Sequence, residues 1–260
     1  MNHIFSVERP FAEWEIHGFS NRKAHLYSNL TSTHRFSKEN LSEFDVGDLL
    51  VADSQTNGRG RHERSWISPQ GKNLYFNILY SLEGFLPQQY PQLMQITAIS
   101  LAQLFRSLGV NASVKWPNDI LFEKKKFCGM VSEILVKNGK KILTTGIGID
   151  VNATEEDFAE IHRPVTSLRL ILGKPLNREI LLQEIVQKLE NAIEITRIQG
   201  IAPWIAEWRK MDQFIGHSAK MVEGNEVIEG TILDINEDGS LLFRKTDGSI
   251  VSRYTGDLEI

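Results

Sequence analysis

One cysteine, Cys128, stands in 260 residues, so the chain can form no internal disulfide and has no cysteine cluster to hold zinc. A lone thiol fits a reducing compartment. Long apolar runs are also missing: none approaches the eighteen residues of a membrane span, and the opening MNHIFSVERP has no signal-peptide pattern. The expectation is a cytoplasmic protein with no membrane partner. Nor is positive charge in excess, since 29 Lys and Arg against 33 Asp and Glu give a formal net charge of −4, which offers duplex DNA no electrostatic footprint. Two phosphate-binding signatures are absent, the GxxxxGK[ST] loop and a GxGxxG that opens a helix. The remainder, 41% hydrophobic and 24% charged, is ordinary globular composition, long enough for one large domain or a large and a small one.

Against that background the stretch from Asp53 to Tyr80, DSQTNGRGRHERSWISPQGKNLYFNILY, stands out. Gly58 and Gly60 lie among Arg59, Arg61 and Arg64, followed by Trp66 and the apolar run Leu74 to Tyr80. Glycines let a backbone approach a ligand closely, and guanidinium forks suit carboxylate and phosphate. The apolar run reads as a buried strand that anchors the loop. GRGR alone also fits a solvated turn or an RNA-binding arginine-glycine tract, but such tracts are long and repeated, whereas this one occurs once between two strands. Its glycines and like charges predict a loop that is mobile until an anion orders it.

Elsewhere the pattern alternates between strands and helices. AHLYSNLTSTHRF reads as a short strand followed by a helix from Ser37 to Phe44 with Ser37 as N-cap. Asp48 to Ala52 continues the sheet, with Gln55 just ahead of the glycine loop. Leu93 to Leu108 has helical periodicity with Gly109 as its stop. VKWPNDI is a strand running into a proline turn that displays Asn118 and Asp119. Lys124 and Lys125 read as solvated, whereas Lys126 is held by the strand Phe127 to Val131. Lys141 to Asn152, KILTTGIGIDVN, is a strand whose glycines mark close approach of a ligand or another backbone. Helices follow at Asn177 to Glu194 or a little beyond, with an apolar stripe Ile180, Leu181, Ile185, Leu189 and Ile193, and at Ile201 to Met211. After a boundary at Met211 to Gly216 come short alternating strands, punctuated by Glu223-Gly224-Asn225, Glu237-Asp238-Gly239 and Thr246-Asp247-Gly248.

Four motifs in this order, the GRGRxxRxW loop, Lys115-Trp116-Pro117-Asn118-Asp119, Lys126-Phe127-Cys128-Gly129 and Gly146-Ile147-Gly148-Ile149-Asp150-Val151-Asn152, resemble those of the biotin protein ligases. The resemblance spans about residues 25 to 260. It implies an α+β fold, a mixed-sheet biotin/lipoate-ligase-like catalytic domain at 25–212 followed by a small all-β SH3-like barrel at 213–260. Residues 1–24 form an extension of unknown role, rich in apolar side chains (Phe5, Phe11, Trp14, Ile16, Phe19). ATP and Mg²⁺ are the implied cofactors, biotin the substrate, and a biotin carboxyl carrier domain of acetyl-CoA carboxylase or a related carboxylase the partner, with a homodimer possible and no metal-ligating residues. The roughly sixty residues of the helix-turn-helix that makes some members repressors are not found in this sequence, so specific DNA binding is not expected.

Residue by residue, the resemblance makes Lys126 the lysine between biotin's carboxylate and the α-phosphate, with Arg59 and Asp119 beside it in catalysis. Biotin contacts fall on Ser32, Thr33, His34, Gln55, Gly58, Arg59, Gly60, Arg61 and Lys126. Nucleotide contacts fall on Arg59, Arg61, Arg64, Trp66, Asn118, Lys126, Asp150 and Asn152. Two positions depart from the family, His34 and Asp150, each where asparagine is usual. An ionised Asp150 would be acceptor-only and of the wrong sign beside a triphosphate. Alternatives are a lipoate ligase or octanoyl transferase of the same fold and a non-enzymatic carrier-binding protein. Binding of biotin against lipoate separates the first, and the intact cationic set argues against the second.

Overall fold

A computed structural model of the chain describes residues 2–224 and 226–260. Runs of apolar residues between glycine or proline breaks build a seven-stranded mixed sheet. Its strands are β1 (Ala24–Tyr27), β2 (Leu49–Ala52), β3 (Leu74–Ser81), β4 (Ser113–Lys115), β5 (Asp119–Phe122), β6 (Lys125–Lys137) and β7 (Lys140–Ile149). The order is β1-β2-β3-β7-β6-β5-β4, parallel between β1 and β2 and antiparallel thereafter. Strand β3 is apolar from Leu74 to Tyr80 except at Asn77, because both its faces are buried. On one side Leu79, with Leu50 and Ile142, packs against Phe36 of α1 (Thr33–Glu39). On the other, Phe76, Ile78 and Tyr80 join the main core with α2 (Tyr90–Ser107) and α4 (Arg178–Gln199). The short α3 (Leu168–Leu172) and α5 (Ala202–Met211) complete the helices.

Most elements follow the sequence pattern; the first helix does not. The first helix is not Ser37–Phe44 but Thr33–Glu39, followed by a single 3₁₀ turn at Leu41–Glu43. Ser32, extended at the end of the preceding segment, accepts from Arg35 N at 3.5 Å and is the N-cap. Ser37 is instead buried inside the helix and donates to the His34 carbonyl at 2.9 Å. Ser37, expected as the cap, is excluded from that role by its place inside the helix. VKWPNDI is, as expected, a strand running into a proline turn: β4 ends at Lys115, the Trp116–Pro117 bond is cis, and Asp119 begins β5.

The N-terminal segment is a strap along α4. Ile4, Trp14, Ile16 and Phe19 are buried in the main core. Polar anchors fix the rest: Ser20 N and Oγ donate to Glu190, Glu15 N donates to Glu179, and Asn177 Nδ2 donates to Ser6 Oγ and Val7 O. The main tie is Arg178, only 4% exposed at its side chain. Its guanidinium donates to Glu8 Oε1 at 2.6 Å, to Asp53 Oδ1 at 2.9 Å and to Asn73 O at 3.1 Å, with the Trp14 ring 5.0 Å away. Asp53 stands at the entrance to the glycine loop.

The C-terminal stretch folds as a five-stranded antiparallel sheet of β8 (Ser218–Glu223), β9 (Glu226–Ile235), β10 (Leu241–Lys245), β11 (Ile250–Arg253) and β12 (Asp257–Glu259), ordered β11-β10-β9-β8-β12. The expected turns fall at Gly239 and Gly248, both at positive φ; the third, at Glu223-Gly224-Asn225, includes Asn225, which lies outside the described residues. The β9–β10 turn docks on α2 and on the turn between β4 and β5. Gln92 Nε2 donates to Asp238 O at 2.6 Å, Gln95 Nε2 to Gly239 O at 2.7 Å and Trp116 Nε1 to Gly239 O at 3.3 Å. Between α5 and β8 the chain is pinned by Asp212, whose Oδ1 accepts from Phe214 N and whose Oδ2 accepts from Trp208 Nε1.

Removing Glu8 leaves the buried Arg178 with Asp53 as its one remaining carboxylate. We expect Glu8→Ala to lower the free energy of unfolding by roughly 2 kcal/mol, less than a fully buried pair because Glu8 is partly exposed. Urea unfolding measures it, and a change below about 0.5 kcal/mol, the scale of an ordinary surface substitution, would mean the strap is not held by this pair.

Candidate active site

Three glycines on adjacent strands make the floor of the site. Gly129 of β6 and Gly148 of β7 are cross-strand partners, and Gly146 lies two residues before Gly148 on the same face. A Cβ at Gly148 would stand 2.5 Å from Trp66 Cε2, one at Gly129 would stand 2.8 Å from Lys126 Nζ, and one at Gly146 would stand 2.8 Å from His34 Cβ. Each glycine thus makes room for one of the residues above it. The indole of Trp66 and the ammonium of Lys126, 5.4 Å from the Trp66 ring centroid, lie directly on the sheet.

Over this floor is a cavity of about 410 Å³. The glycine loop forms one wall as a small hairpin, with Trp66 N donating to Gly58 O at 2.9 Å, Gly60 N to Arg64 O at 2.7 Å and a bridge between Arg59 and Ser65. Gly58 supports it from behind, since a Cβ there would meet Trp66 O at 2.5 Å. Ser32, Thr33, His34 and Gln55 also line the cavity. Gln55 Oε1 accepts from Thr33 N at 2.8 Å, and its Nε2 donates to Ser68 Oγ at 2.9 Å. Asn118 Nδ2 donates to Met130 O at 2.6 Å.

Seven basic side chains line the cavity, Arg59, Arg61, Arg64, Lys115, Lys124, Lys126 and Arg163, against two carboxylates, Asp119 and Asp257. Each carboxylate is already committed. Lys126 Nζ lies 2.6 Å from Asp119 Oδ1; Arg64 and Arg61 lie 2.7 and 3.3 Å from Asp257. Arg61 also donates to Gly256 O at 3.0 Å. The loop's like charges are therefore not left unpaired, because β12 brings a counter-ion from the C-terminal sheet. Burial lowers the pKa of Lys115 and of Arg61, with Asp119 and Asp257 pulling them back up. Surplus positive charge under partial desolvation is an environment that a polyanion improves.

Most of the residues singled out in the sequence meet here, and three lie outside the cavity lining: Gly58, Asp150 and Asn152. Asn152 bonds Leu176 on both sides, donating to its carbonyl at 2.8 Å and accepting from its N–H at 2.9 Å. Strand β7 ends at Ile149, so Asp150 and Asn152 follow it in a turn. Asp150 instead borders a small adjoining hollow shared with Trp66, Lys126 and Arg163. It is buried, accepts from Asn73 Nδ2 at 3.1 Å, and desolvation raises its pKa well above the carboxylate range, opposed by Lys126 and Arg163. Sequence reasoning had not assigned Lys115, Lys124, Arg163 or Asp257. Lys115 lay within a quoted motif and Lys124 in the charge run read as solvated. Arg163 and Asp257 stand in segments with no local signature, brought in by the turn after Phe158 and by β12.

The fold and the site define a ligase of the class that activates small carboxylic acids. The chain belongs to the biotin/lipoate A/B protein ligase family, whose model matches residues 26–152. Among its relatives is the bifunctional ligase/repressor BirA of Salmonella typhimurium, 32% identical over 235 residues that cover 89% of this chain and 72% of that protein. The biotin–[acetyl-CoA-carboxylase] ligase of Mycobacterium tuberculosis is 24% identical, covering 75% and 72%. The biotin protein ligase of Aquifex aeolicus, solved in complex with biotin and ATP, superposes with a TM-score of 0.78 at 29% identity over 91% of this chain and 97% of that one.

A buried carboxyl with a raised pKa holds its proton to higher pH in the folded state than in the unfolded chain. Stability is then lost as pH rises from the unfolded pKa through the folded one, by about 1.4 kcal/mol for each pH unit that separates the two. Asp150→Asn removes that loss. The variant's advantage over the parent, from urea midpoints, should grow between pH 4 and pH 8; an advantage that stays constant, or shrinks, would place an ionised carboxylate at this position.

Proposed function

We propose that this protein activates biotin with MgATP as biotinyl-5′-AMP and passes the biotinyl group to a lysine of a biotin carboxyl carrier domain, of acetyl-CoA carboxylase or a related carboxylase. The observation that carries the reading is one cavity lined by Lys126, the loop arginines, Ser32, Thr33, His34 and Gln55 over a glycine floor. In the first step a carboxylate oxygen of biotin attacks the α-phosphorus and pyrophosphate leaves. Lys126 sits between the two anions and offsets their repulsion, while Arg59, Arg61 and Arg64 hold carboxylate and phosphates. Trp66 offers its ring, and an Nε1 that is buried without a partner, to the adenylate. In the second step the carrier lysine attacks the acyl carbon and AMP leaves; Asp119, released from Lys126, is placed to take the proton from the incoming amine.

The ring of biotin occupies the end formed by Ser32, Thr33, His34 and Gln55, with Gly58 and Gly60 shaping the loop beside it. The nucleotide takes the end with Arg64, Asn118 and the hollow at Asp150, and Asn152 acts through its bonds to Leu176. Mg²⁺ enters with the triphosphate. Among the described residues no group of three or more His, Cys, Asp or Glu gathers as a metal site, and a phosphate-bound ion needs at most one or two carboxylates from protein. We assign 25–212 as the catalytic domain and 213–260 as an SH3-like unit whose Asp257 braces the loop. The protein works in the cytoplasm without specific DNA binding, and an open sheet edge allows a homodimer. No helix among the described residues is long and apolar enough to cross a membrane.

Incubation with biotin, MgATP and a carrier domain should add one biotinyl group to one carrier lysine by mass spectrometry. Lys126→Ala, checked as folded by circular dichroism, should lower the rate at least about a hundredfold, the scale for losing a preorganised charge. A near-parental rate would take Lys126 out of the chemistry, and lipoyl transfer in place of biotinyl transfer would overturn the substrate.

A further inference from the structure

Arg178 does not line the cavity, yet its buried guanidinium ties together the segments that do. Nη1 donates to Asp53 Oδ1 at 2.9 Å and to Asn73 O at 3.1 Å, which uses both of its protons. These residues are the two stems of the glycine loop: Asp53 follows β2, Asn73 precedes β3, and Gly71 N donates to Asp53 O at 3.4 Å between them. One buried nitrogen therefore sets the width of the loop at its base. Gln55, Arg59, Arg61, Arg64 and Trp66 all reach the cavity from that base. Nε and Nη2 turn the other way, to Glu8 Oε1 of the strap at 3.0 and 2.6 Å. The loop side and the strap side of the guanidinium are thus distinct and can be removed separately.

The second stem carries the tie on to Lys126. Asn73 Oδ1 accepts from Val151 N at 2.9 Å and from Ala153 N at 3.1 Å, and Ser167 Oγ donates to Ala153 O at 2.6 Å, closing the base of the segment 153–167. That segment runs beside β6 at the lysine itself: Lys126 N donates to Pro164 O and Thr166 N donates to Lys126 O, each at 3.0 Å. The loop arginines and the backbone of Lys126 therefore share one buried anchor. We propose that Arg178, acting with Asp53, is a positioning residue for the adenylation step: it fixes the loop arginines relative to Lys126, and with them the approach of a carboxylate to the α-phosphate. This rests on the biotin reading, which supplies that reaction. Arginine suits the place because its planar fork serves Glu8, Asp53 and Asn73 in fixed directions, whereas a lysine has a single nitrogen to put in one of them.

Biotin-dependent exchange of labelled pyrophosphate into ATP tests this, with biotin and MgATP saturating so that kcat is read, and at a temperature where urea unfolding shows each protein folded. Arg178→Lys and Asp53→Ala should each lower kcat about ten- to hundredfold, the scale for displacing reacting groups by about an ångström. Asp53→Asn, which keeps an Oδ1 acceptor for Nη1, should restore kcat to within a few-fold of the parent. Glu8→Ala, which leaves both Nη1 bonds in place, should be less stable and yet lose no more than a few-fold in kcat. Parental kcat in Asp53→Ala or in folded Arg178→Lys, or losses in Asp53→Asn as large as in Asp53→Ala, would overturn the proposal while leaving the biotin reading intact. Should Arg178→Lys fail to fold, the comparison of Asp53→Ala with Asp53→Asn decides alone. Absence of biotin-dependent exchange by the parent would overturn both.

Discussion

A carboxylate and a polyphosphate repel each other, and a protein that joins them must place fixed positive charge where both arrive. The same positive charges repel one another before either substrate is present, so their geometry has to be imposed by the rest of the molecule. Asp119 and Asp257 hold Lys126, Arg61 and Arg64 in place as counter-ions that substrate anions can replace. One of the two is local to the lysine. The other comes from β12, more than 190 residues along the chain from Arg61, which ties the C-terminal sheet to the loop.

Neutral architecture supports this charge. Gly129 and Gly148 let Lys126 and Trp66 lie on the sheet itself, so the Lys126 ammonium is presented from a rigid floor rather than on a long free stem. The start of the loop is held from behind by Asp53, through Arg178, to Glu8 of the N-terminal strap. Asn73 links the same arginine to the turn after β7, accepting from Val151 N and Ala153 N through its side chain while its backbone carbonyl receives Arg178. A segment far in sequence from the chemistry thus braces the two ends of the floor.

Sheet, long helices and terminal hairpins were legible in the sequence because their periodicities are local. The loop arginines and Lys126 could be picked out together because glycine, arginine and a strand-held lysine have few structural uses in that arrangement, and the fold gathers them round one cavity. Local signals failed at the first helix, where Ser37 was expected as the cap and Ser32 takes that role, since burial within the fold decides which serine flanks the helix. They also failed where the deciding partner is distant. Asp257 left no mark near the loop, and the expectation of unpaired charges there followed from seeing only neighbours in sequence. Asp150 could be named as a departure from asparagine, but only the fold shows that its carboxyl is buried beside Asn73. The strap could be recognised as apolar, while its seat on α4 depends on Glu179, Glu190 and Arg178, which read in sequence as an ordinary polar helix face.

The central claim is that this cavity brings the carboxylate of biotin onto the α-phosphorus of ATP. Exchange of labelled pyrophosphate into ATP, run with MgATP and no carrier domain, isolates that event. The account predicts exchange that depends on biotin and is not supported by lipoate at equal concentration. Exchange without any acid, exchange with lipoate alone, or none with biotin would contradict it.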